Sequence, residues 1–198
     1  EEMSHADVVF PVLHGGFGED GEIQAAMDKE NVAYVGCGAK SSALIMDKIE
    51  AKRIFEAQNI PTPPYAVLKT GENDIPKGFS VPLAVKPPSE GSTMGVTIVH
   101  DECEWPGALK CSRDLEPDRV LVETFIDAIE LTVGMLDGKP LTPIEIHCPG
   151  EIYDYDAKYV HKHGETQYLC PPQSIAAAKI AELQDLATKA YEATGARD

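Results

Sequence analysis

Three prolines within four residues, Pro61, Pro63 and Pro64, constrain the fold of this chain more than any other feature. Proline has no backbone N–H and a fixed φ, so neither a helix interior nor a central strand continues through such a cluster. The apolar pattern also changes there, from helical spacing before the prolines to short strand-like runs after them. We therefore predict a domain boundary near residue 60.

The segment before the prolines is typical of an α/β unit. Residues 8–13 are apolar and predict a buried strand, and the glycine-rich residues 14–21 predict a turn that leads into an amphipathic helix. Residues 31–36 predict a second short strand. The next helix is expected to begin at Ser41 or Ser42, because a serine hydroxyl can cap the first free N–H groups of a helix.

The segment after the prolines is richer in strands. Asp137-Gly138 lies between two apolar runs, which is a strong signal for a hairpin with a tight turn. Residues 147–172 are polar and lack periodicity, so we predict a long functional loop there. A final helix is expected from Ser174 to a stop at Gly195. The predicted strands are residues 82–87, 96–100, 119–126, 130–136 and 140–146. Together these elements indicate a mixed α/β (α+β) fold.

Composition excludes several classes of partner. The formal net charge is −16, so the chain as a whole repels nucleic acids and anionic membrane surfaces. Five cysteines, an odd number without CxxC spacing, disfavour both a disulfide framework and a structural zinc site, and favour a reducing cytoplasm. No apolar stretch approaches the roughly 20 residues that a membrane span needs. A small anion remains a possible ligand, because a few lysines can bind it locally.

The glycine-rich turn has the composition of a ligand-binding loop. Glycines let the backbone approach a ligand closely, and the N–H groups at the start of the following helix attract anions. The segment His14–Gly21 is neither a GxxxxGK[ST] loop nor a GxGxxG motif, and Glu19 and Asp20 would repel a phosphate. A small zwitterion is the better guest. The alternative is a tight turn whose acidic residues stabilise the helix dipole.

Two lysines are candidate phosphate ligands. Lys86 ends a predicted strand and precedes a loop rich in glycine and hydroxyl groups, and Lys48 lies on an earlier helix. Each lysine can equally be a solvated surface charge. Glu123 interrupts an apolar strand, and Glu130 opens the next one. A buried carboxylate needs a partner, which is either a nucleotide amino or hydroxyl group or a structural lysine.

The long loop carries a dense set of aromatic and charged residues between Tyr153 and Tyr159. Such a loop favours a lid that closes over substrates and excludes water, although an ordinary surface loop has the same composition. His161 and His163 could form a metal pair, but no third ligand has suitable spacing, so we interpret them as solvent-exposed.

The order of these motifs resembles the D-alanine–D-alanine ligase family of the ATP-grasp superfamily. The resemblance runs over essentially the whole chain, and its HGxxGEDG and YDYxAKY pieces are specific; Asp156 stands where the family more often has Glu. It implies the end of an N-terminal α/β domain (residues 1–48), a complete central ATP-grasp subdomain (49–130) and the first part of the C-terminal domain (131–198), with an ω-loop at 147–172. We accordingly expect a chain truncated at both ends.

The resemblance also implies the reaction and the residues that serve it. ATP would phosphorylate the carboxylate of one D-alanine, and the amine of a second would attack the acylphosphate, giving a peptidoglycan precursor. His14 would lie at the first D-alanine, Tyr153 would order the lid, Ser92 and Tyr159 would close it, and Lys158 would reach the transferred phosphoryl group. The expected ATP-binding residues are Lys48, Lys86, Glu123, Thr124, Phe125, Ile126 and Glu130.

The resemblance leaves parts of the machinery outside this sequence. The ligands of Mg²⁺ (or Mn²⁺) and a catalytic arginine are expected beyond residue 198, so we predict that this chain alone is inactive. A homodimer is a further expectation. Two other readings stay open: another ATP-grasp ligase of a carboxylate and an amine, which should lack the YDYDAKY segment, and a nucleotide-binding module without catalysis.

Overall fold

The computed structural model describes residues 6–153, 155–159 and 165–198, without the side chains of Asp156 and Tyr159. Four helices precede the prolines: α1 (Gly16–Glu19), α2 (Glu22–Lys29), α3 (Ala39–Met46) and α4 (Lys48–Ala57). In the described part of the chain, no helix is both long and apolar enough to span a membrane.

The prediction of a buried strand at residues 8–13 is wrong. This segment makes a single parallel bridge, from Val9 to Tyr34, and the side chains of Phe10 and Val12 are 70% and 69% exposed. A strand requires a ladder of hydrogen bonds to a neighbour, and residues 33–35 supply only this one bridge. The second strand predicted at 31–36 is likewise reduced to Tyr34.

The prediction that Ser41 or Ser42 caps a helix is also wrong. Both serines lie inside α3, which begins at Ala39. The helical pattern is interrupted instead at Asp47, whose carboxylate accepts hydrogen bonds from the N–H groups of Ile49 (2.9 Å) and Glu50 (3.2 Å). Asp47 therefore caps α4 and fixes Lys48 as its first residue.

After the prolines the chain forms a four-stranded antiparallel sheet in the order β1-β4-β2-β3. The strands are β1 (Tyr65–Lys69), β2 (Leu83–Lys86), β3 (Thr97–Val99) and β4 (Arg119–Thr124). The sequence predicted β2, β3 and β4, with ends one or two residues too long, but β1 was missed.

Helix α5 (Trp105–Leu115), which the sequence analysis also missed, packs on one face of this sheet. Alternate residues of the strands point towards it, because side chains on a strand have a period of two. The side chains of Leu83, Val85, Val99, Val120 and Val122 are fully buried there, together with Trp105, Ala108 and Leu109 from the helix. The hydrophobic core thus covers one face of the sheet. The opposite face, called the free face below, carries the polar side chains of Lys86 and Glu123 beside the buried Leu121 and Ala84.

A second sheet follows, with the order β5-β8-β9, beside a two-stranded hairpin β6-β7. The predicted strand 130–136 is split into β5 (Glu130–Thr132) and β6 (Met135–Leu136), and 140–146 is split into β7 (Lys139–Pro140) and β8 (Ile144–His147). The predicted turn is confirmed: Asp137 and Gly138 both have positive φ (52° and 66°), as a two-residue hairpin of this kind requires.

The segment 147–172 is not structureless, contrary to the prediction. It contains a short helix, α6 (Tyr155–Tyr159), and a strand, β9 (Gln167–Leu169), which pairs with β8. β9 forms because β8 supplies hydrogen-bonding partners for its backbone. Such a strand has no apolar periodicity from which the sequence could predict it.

The last helix, α7 (Ala177–Thr194), begins three residues after the predicted start and stops at Gly195 in a left-handed conformation, as expected. Its end contacts the beginning of the chain. The Ser41 hydroxyl donates to the Thr194 carbonyl (2.9 Å), Arg197 donates to the Gly36 carbonyl (3.1 Å), and the Arg197 guanidinium lies 5.2 Å from the centre of the Tyr34 ring.

Candidate functional site

A cleft of about 920 Å³ lies between the glycine-rich segment, the end of α3, the free face of the first sheet and a segment that we call the lid. The lid comprises residues 151–153 and 155–159. A volume of this size suits a nucleotide or a comparably large ligand. The cleft is lined by eight of the residues that the sequence analysis selected: His14, Lys48, Lys86, Ser92, Phe125, Glu130, Tyr153 and Lys158.

Three of the other selected residues lie outside the lining of the cleft, and the side chain of a fourth, Tyr159, is not among those described. Glu123, Thr124 and Ile126 do not line the cleft. Glu123 is buried beneath Lys86, whereas Thr124 and Ile126 flank Phe125, which is the cleft residue of this segment. The backbone of Tyr159 lies in α6, but its side chain is outside the described residues, as are His161 and His163. Their predicted roles stay predictions.

Strand register brings Lys86 and Glu123 together. Ala84 of β2 is paired with Glu123 of β4, and Lys86 with Leu121. Directly paired residues share a face of the sheet, so Lys86 and Glu123 are diagonal neighbours on the face opposite the core, beside the small side chain of Ala84. The Lys86 ammonium forms an ion pair with Glu123 Oε2.

Glu123 is held by a second lysine, Lys52 of α4. Its ammonium lies 2.6 Å from Glu123 Oε1, and both side chains are more than 90% buried. Lys52 also donates to Thr62 Oγ1 (2.5 Å) and to the Pro63 carbonyl (3.1 Å). Burial alone would raise the pKa of Glu123, but the two ammonium groups outweigh it and hold the pKa below its usual 4.5. The carboxylate is therefore charged at neutral pH.

Lys48 occupies the first position of α4, at the edge of the cleft. Its ammonium donates to the carbonyls of Glu90 (2.6 Å) and Pro88 (3.2 Å), which hold the loop after β2 against the helix. Burial, followed by the repulsion of nearby Lys86, lowers the pKa of Lys48. Both effects disfavour the charged ammonium, so an anion bound between the two lysines would relieve the repulsion.

Helix α4, which carries Lys48 and Lys52, is anchored by Asp47. Besides capping α4, its carboxylate pairs with the Arg119 guanidinium at 2.8 Å. Burial by itself raises the pKa of Asp47, but the hydrogen bond from Arg119 and those from the helix amides outweigh it and lower the pKa below 3.8. Arg119 begins β4, so this ion pair fixes α4 relative to the sheet.

One acid of the glycine-rich segment, Glu19, folds back onto the backbone of the same segment. Glu19 Oε2 accepts the N–H of Gly15 at 2.5 Å, and an added Cβ at Gly91 would lie 3.5 Å from the same oxygen. Glu19 therefore closes the turn and approaches the loop after β2. Both readings from the sequence fit this geometry, because Glu19 supports the turn while His14 lines the cleft.

The loop after β2 contacts the lid through Thr93. Ser92 and Thr93 both have positive φ (51° and 63°), a conformation that is uncommon for residues other than glycine. In this conformation the Thr93 hydroxyl donates to the Tyr153 carbonyl (3.1 Å) and accepts from the Lys158 ammonium (2.9 Å). The lid is thus bonded to the loop that borders the cleft.

The lid is further ordered by aromatic contacts. Lys158 lies 5.0 Å from the centre of the Tyr153 ring, and the hydroxyls of Tyr153 and Tyr168 are 2.6 Å apart. Because Tyr168 belongs to β9, the lid is tied to the second sheet as well. The role expected for Tyr153, ordering the lid, stays a prediction.

Two residues of the site were missed in the sequence. Lys52 follows Lys48 by four residues, which places both on one side of a helix, and that spacing was available as a signal. Thr93 follows Ser92 in the hydroxyl-rich loop, but its contacts depend on the left-handed backbone, which no local sequence pattern announces. Among the described residues, no group of three or more His, Cys, Asp or Glu side chains could hold a metal ion.

Comparisons with known proteins cover both halves of the chain. A family model described as "D-ala D-ala ligase C-terminus" matches residues 54–198, and one described as "D-ala D-ala ligase N-terminus" matches residues 1–37. A D-alanine–D-alanine ligase of Syntrophotalea carbinolica is 41% identical over 98% of this chain and 62% of its own length. One of Geobacter sulfurreducens is 41% identical over 84% of this chain and 52% of its own length.

Solved structures agree with these sequence relatives. The D-alanine–D-alanine ligase of Bacillus anthracis superposes with a TM-score of 0.82 at 31% identity, over 99% of this chain and 64% of that one. The D-Ala:D-Ser ligase VanG of Enterococcus faecalis gives a TM-score of 0.81 at 30% identity, over 97% and 57%. The chain spans about half to two thirds of the length of these proteins.

Proposed function

Because the chain belongs to the D-alanine–D-alanine ligase family, whose fold is ATP-grasp, we propose that the full-length protein joins two D-alanines in a reaction driven by ATP. One observation carries the proposal: eight residues selected from separate motifs line a single cleft, and three of them are lysines. A Bacillus anthracis relative was solved "complexed with ATP", with a TM-score of 0.79 at 27% identity, which supports ATP as the anionic ligand.

ATP is proposed to lie along the free face of the first sheet. Lys48 and Lys86 bind its phosphates, which would remove the repulsion that lowers the pKa of Lys48. Phe125 lines the cleft, and the backbone of residues 124–126 meets the adenine, while Glu130 meets the ribose. Glu123 lies beneath Lys86 and acts on the nucleotide through that lysine. Three cations in an acidic chain give the phosphates a local binding site.

The chemistry has two steps. A carboxylate oxygen of the first D-alanine, held near His14, attacks the γ-phosphorus, and ADP leaves, which gives an acylphosphate. The amine of the second D-alanine then attacks the acyl carbon, loses a proton, and inorganic phosphate leaves. The residues of this chain position the reactants and neutralise charge, with Lys158 directed to the transferred phosphoryl group.

The lid protects the intermediate. Water would hydrolyse an acylphosphate, so the active site has to be closed during the reaction. Tyr153, Lys158 and Thr93 are bonded to one another across the opening, and we propose that Ser92 and Tyr159 complete the closure. Magnesium is expected from the family, but the described residues offer no ligand set for it, so no step is assigned to it.

The proposed product is D-alanyl-D-alanine for peptidoglycan precursors. We further propose a cytoplasmic location and keep a homodimer as an expectation. Neither nucleic acid nor membrane is a proposed partner, because the net charge of −16 repels both.

The test measures ADP release by the full-length protein with D-alanine, D-lactate, D-serine or L-alanine as the substrate. Release and dipeptide formation with D-alanine are expected. Lys86→Ala is expected to reduce ADP release at least 100-fold, consistent with about 3 kcal/mol of transition-state stabilisation from one electrostatic group. Lys110→Ala is the matched control, because Lys110 is exposed and pairs only locally with Asp114.

Three outcomes would contradict the proposal or change its substrate. ATP binding without ADP release on any of these substrates would move the function to another acid or to nucleotide binding without catalysis. Wild-type activity of Lys86→Ala would remove the assigned role of the lysine. Release with D-serine in addition to D-alanine would place the protein beside the D-Ala:D-Ser ligases.

A further inference from the structure

The pair formed by Glu123 and Lys86 raises a problem for the function proposed above. Lys86 lines the cleft, but in the structure its ammonium is paired with Glu123, which is only 7% exposed. If Lys86 turns to a phosphate, it removes a positive charge from a buried carboxylate. An unpaired buried carboxylate is strongly unfavourable, so the exchange needs a second cation.

Lys52 has the properties of that second cation. It contacts the other carboxylate oxygen, Oε1, so its position does not depend on Lys86. It is itself 6% exposed and does not line the cleft, so a ligand there does not reach it. Its ammonium makes two further hydrogen bonds, to Thr62 and Pro63, and lies 4.8 Å from the centre of the Tyr65 ring.

Lys86 is held much less firmly. Its side chain is 20% exposed against 7% for that of Lys52, and within the part of the chain that the structure describes, Glu123 is its hydrogen-bonding partner. The two lysines thus differ in kind. One is fixed behind the carboxylate by four contacts, and the other lies on the cleft side and can leave.

We infer that Lys52 is the permanent counter-ion of Glu123 and a positioning residue of the active site, which allows Lys86 to exchange Glu123 for a nucleotide phosphate. This inference rests on the proposed function, since it takes a phosphate as the new partner of Lys86. Glu123 then serves as a docking point that holds Lys86 in place while the cleft is empty. Without Lys52, Glu123 must take up a proton whenever Lys86 leaves.

Cations predominate among the described charged and titratable groups around Glu123, and Glu56 of α4, an acid, accepts the Tyr65 hydroxyl at 3.0 Å. Lys52 approaches from α4, Lys86 from β2, and the phenol of Tyr65 lies on the paired residue of β1. Lys48 contributes a weaker long-range attraction to Glu123. With Lys86 turned away and Lys52 replaced, Lys48 and Arg119 are further described cations on this face. Both are committed elsewhere, Lys48 to the carbonyls of the loop after β2 and Arg119 to Asp47 and Glu116.

The experiment uses ADP as the probe and the full-length protein. Binding is measured by titration calorimetry in two buffers of different ionisation enthalpy, from pH 6 to pH 8.5. Relative to the wild type, Lys52→Met is expected to take up about one extra proton per ADP. Its affinity should weaken by about tenfold per pH unit between the pKa of Glu123 in the free variant and its higher pKa in the ADP complex, and should level off above the latter, which is the linkage expected for one coupled proton.

Three further variants separate positioning from folding. Lys52→Arg should restore binding without proton uptake, because it keeps the charge. The double variant Lys52→Met with Glu123→Gln should bind ADP without proton uptake and with an affinity that does not change with pH, because no buried charge is left uncompensated. Lys110→Met, on the surface of α5, is the matched control and should behave as the wild type.

Each result decides the inference. Binding by Lys52→Met with unchanged affinity, or with a loss that is independent of pH and of proton uptake, would overturn it. If Lys52→Met does not fold, proton uptake or a pH-dependent affinity in the double variant would overturn it as well. Failure of the wild type to bind ADP would instead refute the proposed function, and the inference with it.

Discussion

The two sheets of this protein are stabilised in different ways. The first sheet, β1-β4-β2-β3, has five apolar strand side chains fully buried against α5. In the second sheet, β5-β8-β9, the fully buried strand side chain is Glu145, a carboxylate. Apolar packing is rigid and insensitive to pH, whereas a hydrogen-bonded carboxylate is directional and titrates. The first sheet thus suits a fixed platform for a nucleotide, and the second suits a support for a lid.

Glu145 organises its surroundings through its two oxygens. Oε2 accepts the N–H groups of Gln173 (2.8 Å) and Ser174 (2.9 Å), and Oε1 contacts the Ser174 hydroxyl and His147 at 2.5 Å each. These bonds, that from the Ser174 hydroxyl first, lower the pKa of Glu145 to about 2. The carboxylate thus connects β8 to the segment that leads into α7.

The largest effect should come from the core of the first sheet. Leu83→Ala is expected to lower the free energy of unfolding by about 2–5 kcal/mol, because it leaves a cavity in a close-packed site. Leu131→Ala in β5, which is only half-buried, should cost less than half as much. Urea unfolding of the full-length protein, followed by circular dichroism, measures both. Equal losses would contradict the distinction between the sheets.

The second sheet should be broken by a change of charge rather than of volume. Glu145→Gln is expected to increase hydrogen exchange at the amides of Gln173 and Ser174, while amides of β2 and β4 stay protected. The pKa of Glu145 is lowered in the folded state, so its contribution is complete above pH 4.5 and is lost as the pH falls towards 2. The protection factors of these amides, which correct for the pH dependence of intrinsic exchange, should therefore differ between pH 7 and pH 3 more in the wild type than in the variant.

Thr93 tests the link between platform and lid. Thr93→Val keeps the shape of the side chain but removes the hydroxyl that bonds Tyr153 and Lys158. One such hydrogen bond contributes about 1 kcal/mol, so we expect a roughly fivefold loss of closure. It would be measured as more ADP released per dipeptide, because water reaches the acylphosphate. Thr70→Val, on the exposed turn after β1, is the control. An unchanged ratio of ADP to dipeptide in Thr93→Val would argue against a role of the Thr93 hydroxyl in closing the lid.

The smallest effect concerns a second link, between His100 after β3 and Glu151 of the lid, 2.7 Å apart. The hydrogen bond that His100 donates to the Glu151 carboxylate raises the pKa of His100 above 6.5. The pair is therefore fully formed below pH 6.5 and is lost as the pH rises through the raised pKa. An NMR titration of His100 should show its pKa return towards 6.5 in Glu151→Gln. An identical titration in both proteins would remove this link.

The platform was more predictable from the sequence than the lid. Strands β2, β3 and β4 are apolar runs with clear ends, and the Asp137-Gly138 turn requires its backbone conformation. Helix α5 was missed although Trp105, Ala108, Leu109 and Ser112 follow helical spacing, because Pro106 and Gly107 obscure its start. Helix α6 and β9 carry no periodic signal, because hydrogen bonds rather than apolar packing hold them.

The candidate site residues were selected by motif and not by local physics. From the sequence alone, Lys86, Glu123 and Lys158 could each have been an ordinary surface or structural residue. For Glu123 the structural interpretation is correct, because it pairs with a structural lysine, Lys52. The meeting of Lys86 with Glu123 depends on the register of β2 against β4, which is a tertiary property. The buried strand expected at residues 8–13 failed for the same reason, since strand burial depends on neighbours elsewhere in the chain.

The contact between the two ends of the described chain determines which part of the protein can fold first during synthesis. The Ser41 hydroxyl bonds Thr194, which follows it by 153 residues, and Arg197 holds Gly36 at the wall of the cleft. At a synthesis rate of about 5–20 residues per second, the second partner leaves the ribosome roughly 8–30 s after the first. During that interval the platform can already fold, whereas this wall of the cleft still lacks its support. A nascent chain would therefore gain its core well before it gains a complete binding site.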